Sequence, residues 1–265
     1  MPLLPVESLD DSRLRPYRSL KDRELAREGD RFIAEGEQVV RRLLASDYPV
    51  ESLLLARRRA DEIAQLAPSD VPVYVLPDAL VHQVVGFKFH SGVMAVGRRK
   101  PVVSLDAFMA SVSTRDRFTL VALPDVANTD NLGALVRITA AFGADGLLLG
   151  EHCCDPFWRQ AVRVSMGAVF SLPLVRSPDL LSDLGKLRER WGVDLVGAVV
   201  GEGAQSLLAT GRGDRLALLF GNEAQGLGPD YLAACDRRVT IPMRLGTDSL
   251  NVAVAAAVFL YHFTK

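Results

Sequence analysis

The sequence predicts an α/β protein in two parts: a small α/β domain over residues 1–100 and, after a connection over 101–117, a larger domain over 118–265. The larger part is expected to hold a mostly parallel sheet with helices on both faces. Three observations carry this. Apolar runs of strand length alternate with segments of helical period along most of the chain. In the C-terminal part helices separate the apolar runs, which is what the crossovers of a parallel sheet require. Between the two parts the alternation is interrupted by Arg98-Arg99-Lys100, Pro101 and a polar stretch ending near Arg117.

Taken in order, Met1–Asp11 reads as a loose, proline-containing arm, and Arg18–Glu28 as polar and helix-prone. Phe32–Ala34 is a short strand. Gly36 precedes a helix through Val39, Val40, Leu43 and Leu44, which recur at helical spacing. Val50–Ala56 is a strand, Ala60–Leu66 a helix and Val73–Leu76 a strand. Pro77 and Asp78 mark a helix start, since proline tolerates the first turn and an acid suits its positive end. Val93–Gly97 closes the domain, and the connection carries a short helix over Leu105–Val112. The larger part offers strands at Phe118–Leu123, Gly146–Leu149, Leu172–Val175, Asp194–Val199, Leu216–Phe220 and Arg238–Ile241. Its helices are expected at Leu132–Phe142, Leu180–Arg190 and Leu250–Phe263.

Composition narrows the function. With 49% hydrophobic and 24% charged residues the chain builds a core without staples. Its net charge of −1 argues against a nucleic-acid coat protein, although basic clusters stand at Arg13–Arg31, Arg41–Arg42, Arg57–Arg59 and Arg98–Lys100. Acids are interleaved with them, so solvated helix faces explain them equally well. Cys153, Cys154 and Cys235 form no disulfide framework, which suits a reducing cytosol. Adjacent cysteines beside His152 lack metal-ligand spacing, and no metal is expected. Met1–Asp11 lacks the apolar stretch of a signal peptide, and the longest apolar run, Val252–Leu260, is too short to span a bilayer. No phosphate-loop motif is present, and Gly201-Glu202-Gly203-Ala204-Gln205-Ser206 lacks the third glycine of a dinucleotide loop.

Ligands of open α/β sheets sit where strands end and loops begin, and polar residues there form three segments. Asn128-Thr129-Asp130-Asn131-Leu132-Gly133 leads into a helix bearing Arg137; Asn131 reads as its N-cap. Leu132, Leu135, Val136 and Thr139 form the core stripe, and Gly133, Ala140 and Ala141 leave room beside Arg137. Leu219-Phe220-Gly221-Asn222-Glu223-Ala224-Gln225-Gly226-Leu227 places a glycine directly after a strand, where backbone can approach a ligand. Ile241-Pro242-Met243 is followed by Ser249-Leu250-Asn251-Val252-Ala253-Val254-Ala255, with Thr247 or Asp248 the expected cap of the last helix. Singly, each reads as a surface arginine, an ordinary loop or a buried alanine-rich helix.

Together and in this order, the segments N-x-G-x-x-x-R, G-N-E-x-x-G-L and I-P-M…S-L-N-V-A-V-A resemble the three motifs of the SpoU (TrmH-like) family of RNA 2′-O-ribose methyltransferases, within the SPOUT superfamily. The match covers Phe118–Lys265. Phe32–Glu37 and His90–Ala95 more weakly resemble the family's ribosomal-protein-like substrate-binding domain. Thr129-Asp130 departs from the family's usual Pro-Gly pair. The resemblance implies a deep trefoil knot in the C-terminal domain, a homodimer with the active site at its interface, and S-adenosylmethionine held by Leu219, Gly221, Ile241, Met243, Leu250 and Ala253. It implies Arg137, Asn131, Glu223, Ser249 and Asn251 as catalytic residues and a tRNA or rRNA as substrate. A guanidinium is effectively always protonated, so Arg137 is better suited to orient a phosphate and stabilise an alkoxide than to act as base. The rivals are a non-catalytic RNA-binding protein that keeps the fold, and a methyltransferase of small molecules.

Overall fold

The computed structural model describes residues 3–18, 30–85, 91–201, 203–245 and 248–264. The expectations for most of Arg18–Glu28, for His90, for Glu202 and for a Thr247 cap fall outside the described residues. The chain forms two compact units: residues 1–101 with 156–171, and residues 102–155 with 172–265. Among the described residues no helix is long and apolar enough to cross a membrane, and no three His, Cys, Asp or Glu side chains gather as for a metal ion.

The first unit holds strands β1 (Leu3–Pro5), β2 (Arg31–Glu35), β3 (Val50–Ala56), β4 (Val73–Leu76) and β5 (Val93–Arg98), in the order β1-β4-β3-β5-β2. The expected loose arm is corrected here. Leu3–Pro5 pairs in parallel with Val73–Val75, and Val6 donates its N–H to the Val75 carbonyl and is buried. Tyr17, Leu14, Ile33, Leu54, Met94 and Val96 make the core. Residues 156–171 add helix Arg159–Val164 against β2, with Phe157 and Phe170 on the ring of Phe32. Gly97 makes room for that ring: a Cβ there would collide with it. The basic clusters are largely ion-paired, Arg41 and Arg59 with Glu37 and Glu62, Arg58 with Asp78, and Arg98 with Glu51.

The second unit holds β6 (Phe118–Leu123), β7 (Gly146–Leu149), β8 (Leu174–Arg176), β9 (Asp194–Ala198), β10 (Gln205–Ser206), β11 (Arg215–Leu219) and β12 (Arg237–Thr240). All pairs are parallel, in the order β10-β12-β9-β11-β6-β7-β8. Period-two alternation sends Leu120, Ala122, Leu148, Leu195, Ala217 and Leu219 into one core with helices Leu105–Val112 and Leu180–Trp191. The alternate residues Val121, Leu147, Val196 and Leu218 are equally buried, the mark of a sheet covered on both faces. Helix Thr129–Ala141 packs against the last helix, Val252–Phe263. The expected strand at Leu172–Val175 begins instead at Leu174, because Pro173 has no N–H to give the ladder. Helices Arg159–Val164 and Pro229–Ala234 and the two-residue β10 were not expected.

Candidate functional site

The chain leaves β11 into a tight loop. Asn222 and Gly226 exchange both backbone hydrogen bonds, at 2.9 and 2.8 Å. The Asn222 Oδ1 accepts from the N–H groups of Ala224 and Gln225, at 2.8 and 3.3 Å, and its Nδ2 donates to Asp125 Oδ2 at 3.2 Å. Gly226 takes a left-handed φ of +69°. Gly221 is packed so closely that a Cβ would overlap the Gly226 carbonyl and the Leu227 nitrogen. Glycine is therefore required at both ends of this loop.

Both helices that border the site begin with an asparagine, but not as the sequence suggested. Asn128, not Asn131, caps Thr129–Ala141, its Oδ1 accepting from the N–H groups of Asp130 and Asn131. Asn251, not Asp248, caps the last helix, its Oδ1 accepting from Ala253 N at 2.9 Å and Val254 N at 3.4 Å. Asn131 is thereby free for long-range work. Its Nδ2 donates to Glu223 Oε1 at 2.7 Å, and its Oδ1 accepts from Asn251 Nδ2 at 2.9 Å. The backbone settles every orientation in this chain. The helix N–H groups demand the Asn251 oxygen, so its NH2 faces Asn131; Asn131 must then show its oxygen to Asn251 and its NH2 to Glu223.

Around this relay, beyond the C-terminal ends of β9, β11 and β12, lies a cavity of about 650 Å³, in the size range of small-molecule sites. Asn131, Glu223, Ser249 and Asn251 line it, with Gly221, Ile241, Met243 and Leu250. Arg137 stands on the exposed side of its helix and does not line the cavity of the single chain. Leu219 and Ala253 are buried in the core rather than at the cavity surface. Sequence reasoning missed Ala198 at the end of β9, Val199 and Val200 just after it, and Leu232, which also line it; Asn222 and Asp248 stood in the segments it quoted, without a site role, and line it too. The sequence reading after β9 fell on Gly201–Ser206, which lacks the third glycine of a dinucleotide loop, and not on the strand end itself. Its place at a strand terminus next to β11 was the usable signal.

Among the described residues the lining holds the carboxylates of Glu223 and Asp248 and no lysine, arginine or histidine. With apolar walls at Val199, Leu227, Ile241 and Met243, such a lining suits an amphipathic ligand that carries positive charge. A sulfonium cofactor with a flat heterocycle fits that description; a polyphosphate does not. The cysteines stand apart from this chemistry. Burial pushes the Cys153 thiol up to about 11 and the Cys154 thiol to about 12, and Cys153 hydrogen-bonds to the backbone of Leu123 and Val126.

The model of the SpoU rRNA Methylase family matches residues 119–261. An uncharacterized tRNA/rRNA methyltransferase of Mycobacterium tuberculosis is 37% identical over 264 residues, 97% of this chain and 90% of its own. The 23S rRNA (guanosine-2′-O-)-methyltransferase RlmB of Acinetobacter baylyi is 29% identical over 205 residues, 77% of this chain and 83% of its own. Among solved structures, the SpoU methyltransferase AviRb from Streptomyces viridochromogenes, in complex with its cofactor AdoMet, is similar with a TM-score of 0.79 and 28% identity, over 96% of this chain and 98% of its own.

Proposed function

Because this chain belongs to the SpoU rRNA Methylase family, whose cofactor is S-adenosylmethionine, we propose that it is an RNA methyltransferase whose acceptor is the 2′-hydroxyl of a ribose in tRNA or rRNA. The observation that carries this is the cavity at the ends of β9, β11 and β12, walled by apolar side chains, lined by carboxylates but by no cationic side chain among the described residues, and bordered by the Glu223–Asn131–Asn251 relay.

When bound, the cofactor supplies a methyl group on a sulfonium, already a good leaving group. Gly221, Ile241 and Leu250 would hold it through main-chain groups, Met243 would add an apolar wall, and Leu219 and Ala253 would support these from the core. The carboxylates of Glu223 and Asp248 balance positive charge at the cavity. Asn131, Ser249 and Asn251 hold the acceptor hydroxyl in line by hydrogen bonds, so positioning supplies much of the rate. Arg137 binds the neighbouring RNA phosphate and stabilises the oxygen as its proton passes to solvent water.

Since Arg137 does not line the cavity within one chain, this role belongs to a homodimer in which it serves the partner protomer. The exposed stripe Val254, Val258 and Tyr261 on the last helix (49%, 37% and 56% accessible) is the apolar surface a second copy would cover. The first unit serves to capture RNA, and the protein works in the cytoplasm, where tRNA and rRNA reside. We place a deep trefoil knot in the C-terminal segment, on the support that the loops after β11 and β12 and residues 248–252 all return to one cavity.

The test is methylation of bulk tRNA and rRNA by the purified protein with labelled cofactor, followed by nucleoside mass spectrometry. A 2′-O-methylated nucleoside is expected; a base-methylated product overturns the reading. Arg137→Ala should lower methyl transfer by about 100-fold or more while cofactor affinity, read by calorimetry, stays within about twofold. A cofactor-affinity loss as large as the activity loss contradicts the assigned role.

A further inference from the structure

Many arginines of the first unit are neutralised by carboxylates: Arg41 and Arg59 by Glu37 and Glu62, Arg31 and Arg98 by Glu51, Arg159 by Glu35. Arg42 and Arg163 are not. Both are exposed, and among the described residues their hydrogen bonds go to neutral oxygens and neither forms an ion pair. We propose that the face bearing Arg42 and Arg163 docks the sugar–phosphate backbone of RNA, one phosphate on each guanidinium. The proposal rests on the reading of the protein as an RNA methyltransferase, and names a contact through which its first unit captures substrate.

The two side chains come from distant parts of the sequence and meet at one turn. Arg42 stands in the last turn of helix Glu37–Leu44, and Arg163 in the last turn of helix Arg159–Val164. The chain then folds back on itself. Met166 donates its N–H to the Arg163 carbonyl at 3.0 Å and takes a left-handed φ of +54°. Its own carbonyl accepts from Arg42 Nη1 at 2.5 Å. Gly167 follows with a φ of +79°, and a Cβ there would press on Cβ and Cδ of Arg42, so the arginine stem lies along this turn. Methionine rarely adopts a left-handed conformation, and such strain persists where the surrounding structure makes use of it. Here it aims a carbonyl at a guanidinium.

Arg163 is held in a similar way, Nε and Nη2 donating to Gln160 Oε1 at 3.2 and 3.0 Å. A neutral acceptor orients a guanidinium without cancelling its charge. Each also leaves a donor edge for a phosphate, Nε and Nη2 on Arg42, Nη1 and Nη2 on Arg163. The segment 156–171 contains no acid, and the acids nearest Arg42 in sequence are matched, Glu37 by Arg41 and Arg59, Asp47 by Lys100. Two positive charges therefore stand unneutralised on this face of a chain whose net charge is −1. The guanidiniums hold separate acceptors and do not converge on one point, which suits a polyanion that bridges them and not a free phosphate. The cations that face rings in this unit are Arg13, Arg99 and Lys100 among the described residues. With no ring beside Arg42 or Arg163, the face reads charge and not base.

The test is fluorescence anisotropy of the full-length protein with two single-stranded oligoribonucleotides of unrelated sequence, across salt. Arg42→Gln and Arg163→Gln should each reduce the slope of log K against log salt by about 0.7, and the double variant by about 1.4, the share of one phosphate per arginine on a single strand. The loss should be equal for both sequences, with cofactor affinity and thermal unfolding as in the wild type. Arg42→Lys keeps the charge and should keep the slope. Arg58→Gln removes an arginine already paired with Asp78 and should leave the slope unchanged. Full slope in both single variants overturns the docking face while the methyltransferase reading stands. An equal loss in Arg58→Gln assigns the effect to bulk charge and overturns it as well. If the wild type neither binds nor methylates RNA, the underlying reading falls and the docking face with it.

Discussion

Replacing Asn251 by aspartate separates two tasks that one side chain performs. The Asn251 oxygen caps the last helix through Ala253 and Val254, while its NH2 donates to Asn131 at 2.9 Å. Aspartate caps about as well as asparagine, and its charge suits the positive end of a helix, so Asn251→Asp should keep the cap's share of stability and lose only what the relay contributes. The relay does not survive it. A carboxylate oxygen facing the Asn131 Oδ1 is a clash of acceptors, and turning the Asn131 amide only moves the clash to Glu223. One hydrogen bond is lost in either case, and the one to Glu223 is charge-assisted. Water reaches these exposed groups, so the lower part of the usual range applies, about 1–2 kcal/mol. That corresponds to a fall of about 5- to 30-fold in kcat/KM. Asn251→Ala removes both tasks and should also cost about 1 kcal/mol of stability through the lost cap, about 2–4 °C in Tm for a domain of this size. Thermal unfolding and steady-state methyl transfer on the two variants decide the matter. Equal Tm losses in both, or full activity in Asn251→Asp, would refute the division of labour.

Gly221→Ala forces a methyl group onto the Gly226 carbonyl and should open the 221–227 loop; calorimetry should show cofactor affinity reduced by about 10- to 100-fold, as overpacking of about 1–3 kcal/mol implies. Asp125→Ala frees the Asn222 amide and should raise the cofactor Kd by about fivefold, a loss of about 1 kcal/mol, whereas Asp125→Asn, which still accepts that hydrogen bond, should restore it. The thiols of Cys153 and Cys154, raised by burial to about 11 and 12, and of Cys235, raised likewise to about 11, should resist alkylation at pH 8 in the native state. Their neutral forms are favoured by folding, so stability should be constant below the ordinary thiol value of 9.0 and decline as pH rises through these folded values. Rapid alkylation at pH 8, or stability that rises above pH 9, would contradict this.

Interior strands were legible because both their faces are buried. Phe118–Leu123, Gly146–Leu149, Val50–Ala56 and Val73–Leu76 were read to the residue, each a mostly apolar run bounded by polar or turn residues. β1 was not legible: Leu3–Pro5 is a strand only because Val73–Val75 offers a free edge about seventy residues later. The helix caps failed for a similar reason. Asn128 and Asn131 are both capping residues, and nothing local says which will serve. The choice follows from partners of Asn131 that lie 92 and 120 residues away. The segments after β11 and β12 were singled out from their glycines and polar tips and line the cavity, while Ala198–Val200 carried no polar mark and became visible only through the cavity they line.

The membership of residues 156–171 in the first unit has a consequence for biosynthesis. The Phe32 ring waits for Phe157 and Phe170, so a nascent chain that has emerged only through residue 101 leaves part of an aromatic cluster exposed. Completion comes after β6 and β7 have also left the ribosome, several seconds later at about 5–20 residues per second. Folding of the two units is therefore interleaved in time, and the interval before residue 171 emerges is the period in which the growing chain has most need of a chaperone.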